Sequence, residues 1–401
     1  MKPARKKIAV VAALIALILA VAFLVDTRKT QWDLKVYMEC SRTLASGGDP
    51  YATQPLFNGD RFQCLYPPLI MDLYRPFNCI SEKLKGDEGE RLWAVLKVVS
   101  MVLILWLWRG SILRPGRDIR RLLFAAVAYG SPFWSDFRAG NAGSFEHLIL
   151  WGALAAFVAE RDLLFAALVA AAAQPKLLPL AFLPLLIAKP RPNARAFICG
   201  GALAVAAFAL NEWIHPGLLK EFFRQLGDPS QPWHYERGPN NCAFIGLVQH
   251  ALETAWRDRG LAMHWAVRVS AVWSIAIASA TAWRLSHLWQ AHGTEKDKRR
   301  AAVMLYAAAY ALIAPRLKDY SFLLLIPPTL VALESDAPTP MRFAILLFAL
   351  LDSTKALAEK AGFGVWSLFA GYFKLYAAML VWFVLAFPRR SHIKTRAGAS
   401  F

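Results

Sequence analysis

Long apolar runs alternate with short charged blocks along almost the whole chain. A membrane-crossing helix needs roughly 20 predominantly apolar residues, and shorter ones are tolerated inside a bundle. By that measure the pattern predicts spans near 8–25, 91–109, 121–135, 144–159, 162–174, 175–189, 195–213, 261–285, 301–315, 320–334, 341–353 and 364–387. The expected architecture is an all-α polytopic membrane protein of about twelve transmembrane helices. The Gln174-Pro175 break divides 162–189 into two short helices instead of one long one. Two stretches, 67–80 and 241–256, are too short and too polar to cross and read as amphipathic helices lying on the membrane surface.

Composition agrees with this pattern. Of 401 residues, 57% are hydrophobic and only 18% are charged, too apolar for a soluble protein of this length. Lys plus Arg number 46 against 28 Asp plus Glu, a net charge of +18. The excess sits in blocks between apolar runs, which is the signature of positively charged cytoplasmic loops and not of nucleic-acid binding. The blocks are Lys2–Lys7, Arg109–Arg121, Lys189–Arg195, Arg284–Arg300 and the tail from Arg389. Twelve spans with both termini inside place all of them on the cytoplasmic side. The run 8–25 is longer than the core of a cleaved signal peptide and reads as a retained anchor. The chain is then one transmembrane domain over 1–401. It has a first outer loop at 26–90, a second large outer loop at 214–260 and a basic cytoplasmic tail at 388–401. The expected location is a bacterial inner membrane.

This topology gathers polar residues on the outer side. Charges inside hydrocarbon cost roughly 2.5–3.5 kcal/mol each on insertion scales, so such clustering implies a water-accessible cavity at the outer boundary. Asp33 is the sharpest candidate. On a helix over 31–46, Asp33, Tyr37, Cys40 and Leu44 share one arc, while Lys35, Glu39, Arg42 and Ser46 face the other way. A carboxylate turned toward a partly desolvated cavity can act as a general base. The competing reading makes Asp33 the N3 residue of a capping box opened by Thr30. Asp49, in Gly-Gly-Asp-Pro-Tyr, reads first as a turn residue and second as a substrate contact. Tyr66 before Pro-Pro is either a substrate-packing ring or an interfacial anchor.

Arg316 and Lys318, in the segment APRLKDY (314–320), are cations on the outer side, against the general bias, and suit a phosphate; lipid-headgroup snorkelling is the alternative. Lys176, between Pro175 and Pro179, is a second phosphate candidate. Arg138, Asn141 and Asn241 are candidate substrate contacts, and His234 is a further acid–base candidate. Five cysteines show no C-x-x-C spacing, so no zinc or redox site is expected; Cys40 and Cys64 are either disulfide-bonded in an oxidising compartment or two buried thiols.

Several of these residues stand in an ordered set of motifs. They are Asp33-x-x-x-Tyr37, Gly48-Asp49-Pro50-Tyr51, Tyr66-Pro67-Pro68-Leu69, Gly140-Asn141, Lys176 with Pro179, Asn241 and Ala314-Pro315. With this set the chain resembles glycosyltransferase family 87, the mannosyltransferase-like GT-C group that uses polyprenyl-phosphate sugars, over about residues 8–385. The resemblance implies a GT-C bundle with Asp33 as the catalytic residue of the first outer loop. It also implies a lipid-linked sugar, mannose or another hexose, as donor, and a lipid or glycan as acceptor. The family's late motif often carries a His; here Ala314-Pro315-Arg316-Leu317-Lys318-Asp319 has none, which leaves Asp319 as its candidate substitute. No metal or cofactor is expected, because the donor brings its own leaving group and no Asp-x-Asp occurs. A lipid or solute transporter with a basic outer vestibule is the competing class, and a ligase of whole oligosaccharides a third.

Overall fold

A computed structural model of the chain describes residues 31–52, 56–57, 60–61, 63–84, 87–113, 118–228, 236–238, 240–256, 258–351 and 365–388. The predicted span 8–25, Thr30, His234 and the basic tail lie outside them.

The regular structure of the described residues is helical apart from a two-residue antiparallel ladder, Leu56–Phe57 with Asp60–Arg61, and an isolated antiparallel bridge between Gly238 and Asn241. The elements that position the site begin with α1 (Trp32–Ala45), the short α2 (Pro68–Asp72), α3 (Arg75–Leu84) and α4 (Glu88–Leu107), which runs on through a π turn to Ile112. Then come α5 (Asp118–Val127), α6 (Pro132–Ala139), α7 (Gly143–Val158), α8 (Asp162–Ala172) and a 3-10 segment, Leu178–Leu186. They are followed by α9 (Ala194–Ile214), α10 (Leu218–Gly227), α11 (Phe244–Trp256), α12 (Arg259–Gln290) and α13 (Glu295–Ile313). A second 3-10 segment, Asp319–Leu325, leads into α14 (Ile326–Glu334). The series ends with α15 (Thr339–Leu350), α16 (Val365–Ala370) and α17 (Phe373–Ala386).

Three of the described helices are long and apolar enough to cross a membrane: Glu88–Ile112, Ala194–Ile214 and Arg259–Gln290. Four more, α7, α8, α15 and α17, are apolar but shorter. Most of the predicted spans thus correspond to helices, but length alone supports three, not twelve. The shortening has a local cause at each place. Prolines inside 178–186 remove backbone donors, and the chain winds as 3-10 there. The predicted span 121–135 is broken, because Tyr129 and Ser131 both adopt left-handed φ values (58° and 55°) between α5 and α6. On α9 and α12 large apolar side chains face outward, Trp213 79% and Val272 69% exposed among them, as expected of surfaces that meet lipid.

The main apolar core joins α7, α8, α13, α14 and α17 with the second half of α4. A second, smaller core forms under α1, α2 and α3 around Tyr37, Cys40, Cys64, Tyr66 and Tyr74. α1 is fastened from three sides. Asn78 of α3 donates to the Met38 carbonyl (2.9 Å), Cys40 is disulfide-bonded to Cys64, and Gln31 at its N-terminus donates through its backbone N–H to the Arg138 carbonyl (2.8 Å). Gln31 also donates through Nε2 to the Phe137 carbonyl (2.6 Å). The surface helices are tied to α9, whose Asn211 side chain accepts the Leu69 N–H (2.7 Å). Opening the disulfide frees a loop with a sequence separation of 24 residues. Reduction, or Cys64→Ser, is therefore expected to cost about 3 kcal/mol by the loop-entropy account, visible as a lower apparent melting temperature in detergent.

Candidate active site

The site is built on the N-terminus of α1. Gly140 ends α6 with φ of 74°, and a Cβ there would come within 2.7 Å of the Gln31 Cα and 3.1 Å of the Leu34 Cβ. A residue without a side chain is needed on both counts. Gly140 thus lets α1 press against the α6–α7 turn and brings Asp33 to Asn141. Gly140→Ala is expected to cost about 2–4 kcal/mol and to shift α1, because backbone atoms cannot give way; a thermal melt, together with retained activity if the shift is absent, would check it.

The Asn141 Nδ2 donates to Asp33 Oδ2 at 2.9 Å, and its Oδ1 accepts the Gly143 N–H at 3.0 Å. Asp33 is at the second position of α1, whose N-cap is Gln31 without a side-chain cap bond. The capping-box reading is thus replaced, and the Asp33 side chain reaches across to Asn141. Most of the predicted arc holds: Tyr37, Cys40 and Leu44 are buried and Glu39, Arg42 and Ser46 exposed, while Asp33 and Lys35, expected on opposite sides, are both half-buried. Burial pushes the Asp33 carboxyl above the ordinary carboxylate range, against the lowering effects of the Asn141 hydrogen bond and of Lys318 and Lys97.

Behind Asn141 lies a feature that the sequence reading passed over. Lys97 of α4 is fully buried; its Nζ is 2.6 Å from Asp136 Oδ2 and also donates to the Asn141 carbonyl. Asp136 is itself buried and accepts the Ser144 N–H (3.1 Å). One chain of contacts, Asp136–Lys97–Asn141–Asp33, therefore fixes the carboxylate. The signal was available: between Arg91 and Arg109, which end the apolar run, Lys97 is the one charged residue, the kind that marks a functional site.

Next to Asn141 is a cavity of about 470 Å³. Tyr37, Tyr66, Asn141, Lys176, Asn241, Arg316 and Lys318 all line it, together with Glu146, His147 and Tyr320 and an apolar wall that includes Leu150, Leu178, Ile245 and Met263. Tyr37 and Tyr66 stack with ring centroids 4.1 Å apart, and the Tyr66 hydroxyl donates weakly to Asn141 Oδ1 (3.4 Å). Burial pushes both phenols well above their usual range, so they remain hydroxyl donors.

Each phosphate candidate has an acidic partner. Arg316 contacts Glu236 at 2.9 Å (Nε) and 2.6 Å (an Nη), and Lys318 reaches the other oxygen of Glu236 at 3.2 Å. Two cations share one carboxylate there, leaving an excess positive charge. Lys176 pairs with Glu146 (2.7 Å) and lies over the Tyr320 ring, 5.2 Å from its centroid.

Four sequence candidates fall elsewhere or take another role. Asp319 does not line the cavity; its Oδ1 is 2.5 Å from the Nζ of buried Lys374. Arg138 lies over the Trp32 ring at 5.8 Å, away from the cavity. Asp49 Oδ1 accepts the Tyr51 N–H (2.8 Å), the turn role that Asp-Pro favours. Asn241 lines the cavity but works as a latch: its Oδ1 accepts the N–H of Leu317 (3.0 Å) and of Ala243 (3.1 Å), and its Nδ2 donates to the Pro315 carbonyl (3.3 Å). That holds the loop bearing Arg316 and Lys318 in place.

A helical membrane protein with stacked tyrosines and cations around a part-apolar cavity, and a carboxylate held by Asn141 behind that lining, fits an enzyme that handles an amphiphilic, anionic substrate. The model of glycosyltransferase family 87 matches residues 65–316, well over half of the chain, and the chain belongs to this family. It is therefore a membrane glycosyltransferase. Asp33 lies before the matched segment, while Lys97, Asn141, Lys176 and Arg316 lie within it. No curated protein and no solved structure shows significant similarity to the chain.

Proposed function

We propose that this enzyme transfers a sugar, mannose or another hexose, from a polyprenyl-phosphate carrier to a lipid or glycan acceptor at the outer face of a bacterial inner membrane. The observation that carries the reading is a cavity walled by aliphatic side chains on one side and Lys176, Arg316 and Lys318 on the other, with Asp33 outside its lining but held at 2.9 Å by Asn141, which lines it. The apolar wall suits a prenyl chain and the cations suit its phosphate.

In the proposed inverting step, an acceptor hydroxyl loses its proton to Asp33 as its oxygen bonds to the anomeric carbon. The bond from that carbon to the phosphate oxygen breaks, and the polyprenyl phosphate leaves with the electron pair. The growing negative charge falls toward Arg316 and Lys318, whose shared Glu236 leaves them an excess charge to offer, and toward Lys176. The step needs no metal or cofactor because the donor is already activated. In this reading the four shorter apolar helices, the remaining predicted spans and the leading run 8–25 make up, with the three long helices, a GT-C bundle of about twelve spans with both termini cytoplasmic.

The test is transfer of radiolabelled sugar from synthetic polyprenyl-phosphate mannose, and from a panel of other polyprenyl-phosphate sugars, to a lipid extract by purified protein. Arg316→Ala is expected to raise the donor KM by roughly 10–100-fold, as loss of a charge-assisted phosphate contact does. Absence of product with every donor, while polyprenyl phosphate still binds, would favour the transporter reading.

A further inference from the structure

At the far end of the bundle lies a second cavity, of about 490 Å³, that the transfer reaction does not use. It opens between the start of α5, the end of α14 and the start of α15, and its lining holds Arg120, Arg121 and Arg342 against one carboxylate, Glu334. Arg121 is held by Glu334 through two bonds, 3.0 Å from Nε and 2.7 Å from an Nη. Phe124, Leu330, Leu333, Phe343 and Leu346 supply an apolar wall, and Phe343 is 64% exposed.

Helix stability does not explain this arrangement. All three arginines lie in the first turns of α5 and α15, where the helix dipole disfavours cations, and Glu334 closes α14, where it disfavours anions. The Arg121–Glu334 pair offsets part of that cost, but Arg120 and Arg342 remain beside two positive helix ends. α15 has no side-chain cap at its N-terminus, which leaves the Thr339 and Met341 N–H groups as donors, since Pro340 has none and the Arg342 N–H bonds the Pro338 carbonyl. The Arg342 Nε is shielded from solvent and has no partner among the described residues. A cavity that concentrates positive charge in this way, beside an exposed aromatic wall, calls for an anion with an apolar tail.

The location fixes which anion. Lys318 lines the first cavity, and the continuous helical segment 319–334 separates it from Glu334 in the second. That segment is about 27 Å long, close to the roughly 30 Å of a bilayer's hydrocarbon core. In the orientation proposed above, the second cavity therefore sits at the cytoplasmic headgroup level. We propose that it is a binding site for one anionic phospholipid of the cytoplasmic leaflet. Its phosphate would lie between Arg120, Arg342 and the N-terminus of α15, and an acyl chain would follow Phe343 and Leu346.

The test is native mass spectrometry of the full-length protein with phosphatidylglycerol and phosphatidylcholine supplied in equal amounts. Wild type should retain one phosphatidylglycerol in preference to phosphatidylcholine. Arg120→Ala/Arg342→Ala should weaken that retention by roughly 30-fold, as expected for two basic contacts. Phe343→Glu, on an exposed position, should weaken it with the arginines intact. Arg316→Ala, in the other cavity, should leave it unchanged. The variants' melting temperatures in phosphatidylcholine alone should match wild type. Equal retention of the two lipids by wild type, retention unaffected by both cavity variants, loss with Arg316→Ala, or displacement by inorganic phosphate would each overturn the proposal. None of these readouts depends on transfer activity, so failure here leaves the glycosyltransferase reading intact.

Discussion

Asp33→Asn is expected to reduce sugar transfer by about 10²–10⁴-fold, the usual contribution of a positioned general base, while leaving donor binding within a few-fold of wild type. Asn keeps the shape and the contact with Asn141 but cannot take the acceptor proton. The pH profile gives a second readout. Burial raises the Asp33 carboxyl, and only the carboxylate is active, so transfer should fall as pH drops through that raised value. The acid limb should therefore lie above the normal aspartate range of about 3.9. Stability runs the other way. A raised carboxyl contributes stability that is fully present below the unfolded pKa and lost as pH rises through the folded one. At neutral pH the buried charge works against folding, so Asp33→Asn should melt no lower than wild type, and higher if burial dominates. A variant that loses activity together with its fold would point to a structural role for Asp33 instead.

Lys97→Met should have the largest effect on stability. It leaves Asp136 buried without its counter-charge, and removing one partner of a buried pair costs about 3–5 kcal/mol. It also removes the donor to the Asn141 carbonyl, which fixes the side chain that holds Asp33. Lys97→Met/Asp136→Asn should recover most of the lost stability, since the remaining pair is neutral and an Asn carbonyl oxygen can still accept the Ser144 N–H. Turnover should stay low in the double variant, because nothing restores the lysine contact to Asn141. Melting curves and initial rates on the same preparations separate the two effects. If the double variant regains full turnover, the lysine serves the fold alone.

These two variants fall on either side of what could be read from the chain. The Asp33 face was legible because helical periodicity is local: positions 33, 37, 40 and 44 share an arc whatever surrounds the helix. Lys176, Arg316 and Lys318 were legible as cations placed against the prevailing charge bias, and all three line the cavity. Asp319 stood in sequence as the candidate substitute for the family's late His, but a 3-10 turn beginning at that residue turns it toward Lys374. The break at 128–131 had a signal in Gly130, which is left-handed as well, and Pro132, but the apolar run across 121–135 outweighed it, and nothing local requires left-handed φ at Tyr129 and Ser131.

By itself the sequence determined an all-helical membrane protein and singled out a candidate carboxylate, Asp33, since composition, hydrophobic period and charge bias act over a few turns of chain. Only the tertiary structure decided which charges meet. Asp33 finds Asn141 across 108 residues, Arg316 finds Glu236 across 80, and Lys176 finds Glu146 across 30. Such pairings depend on how helices cross, and in a low-dielectric interior each one sets whether a charge is costly, neutralised or available to a substrate.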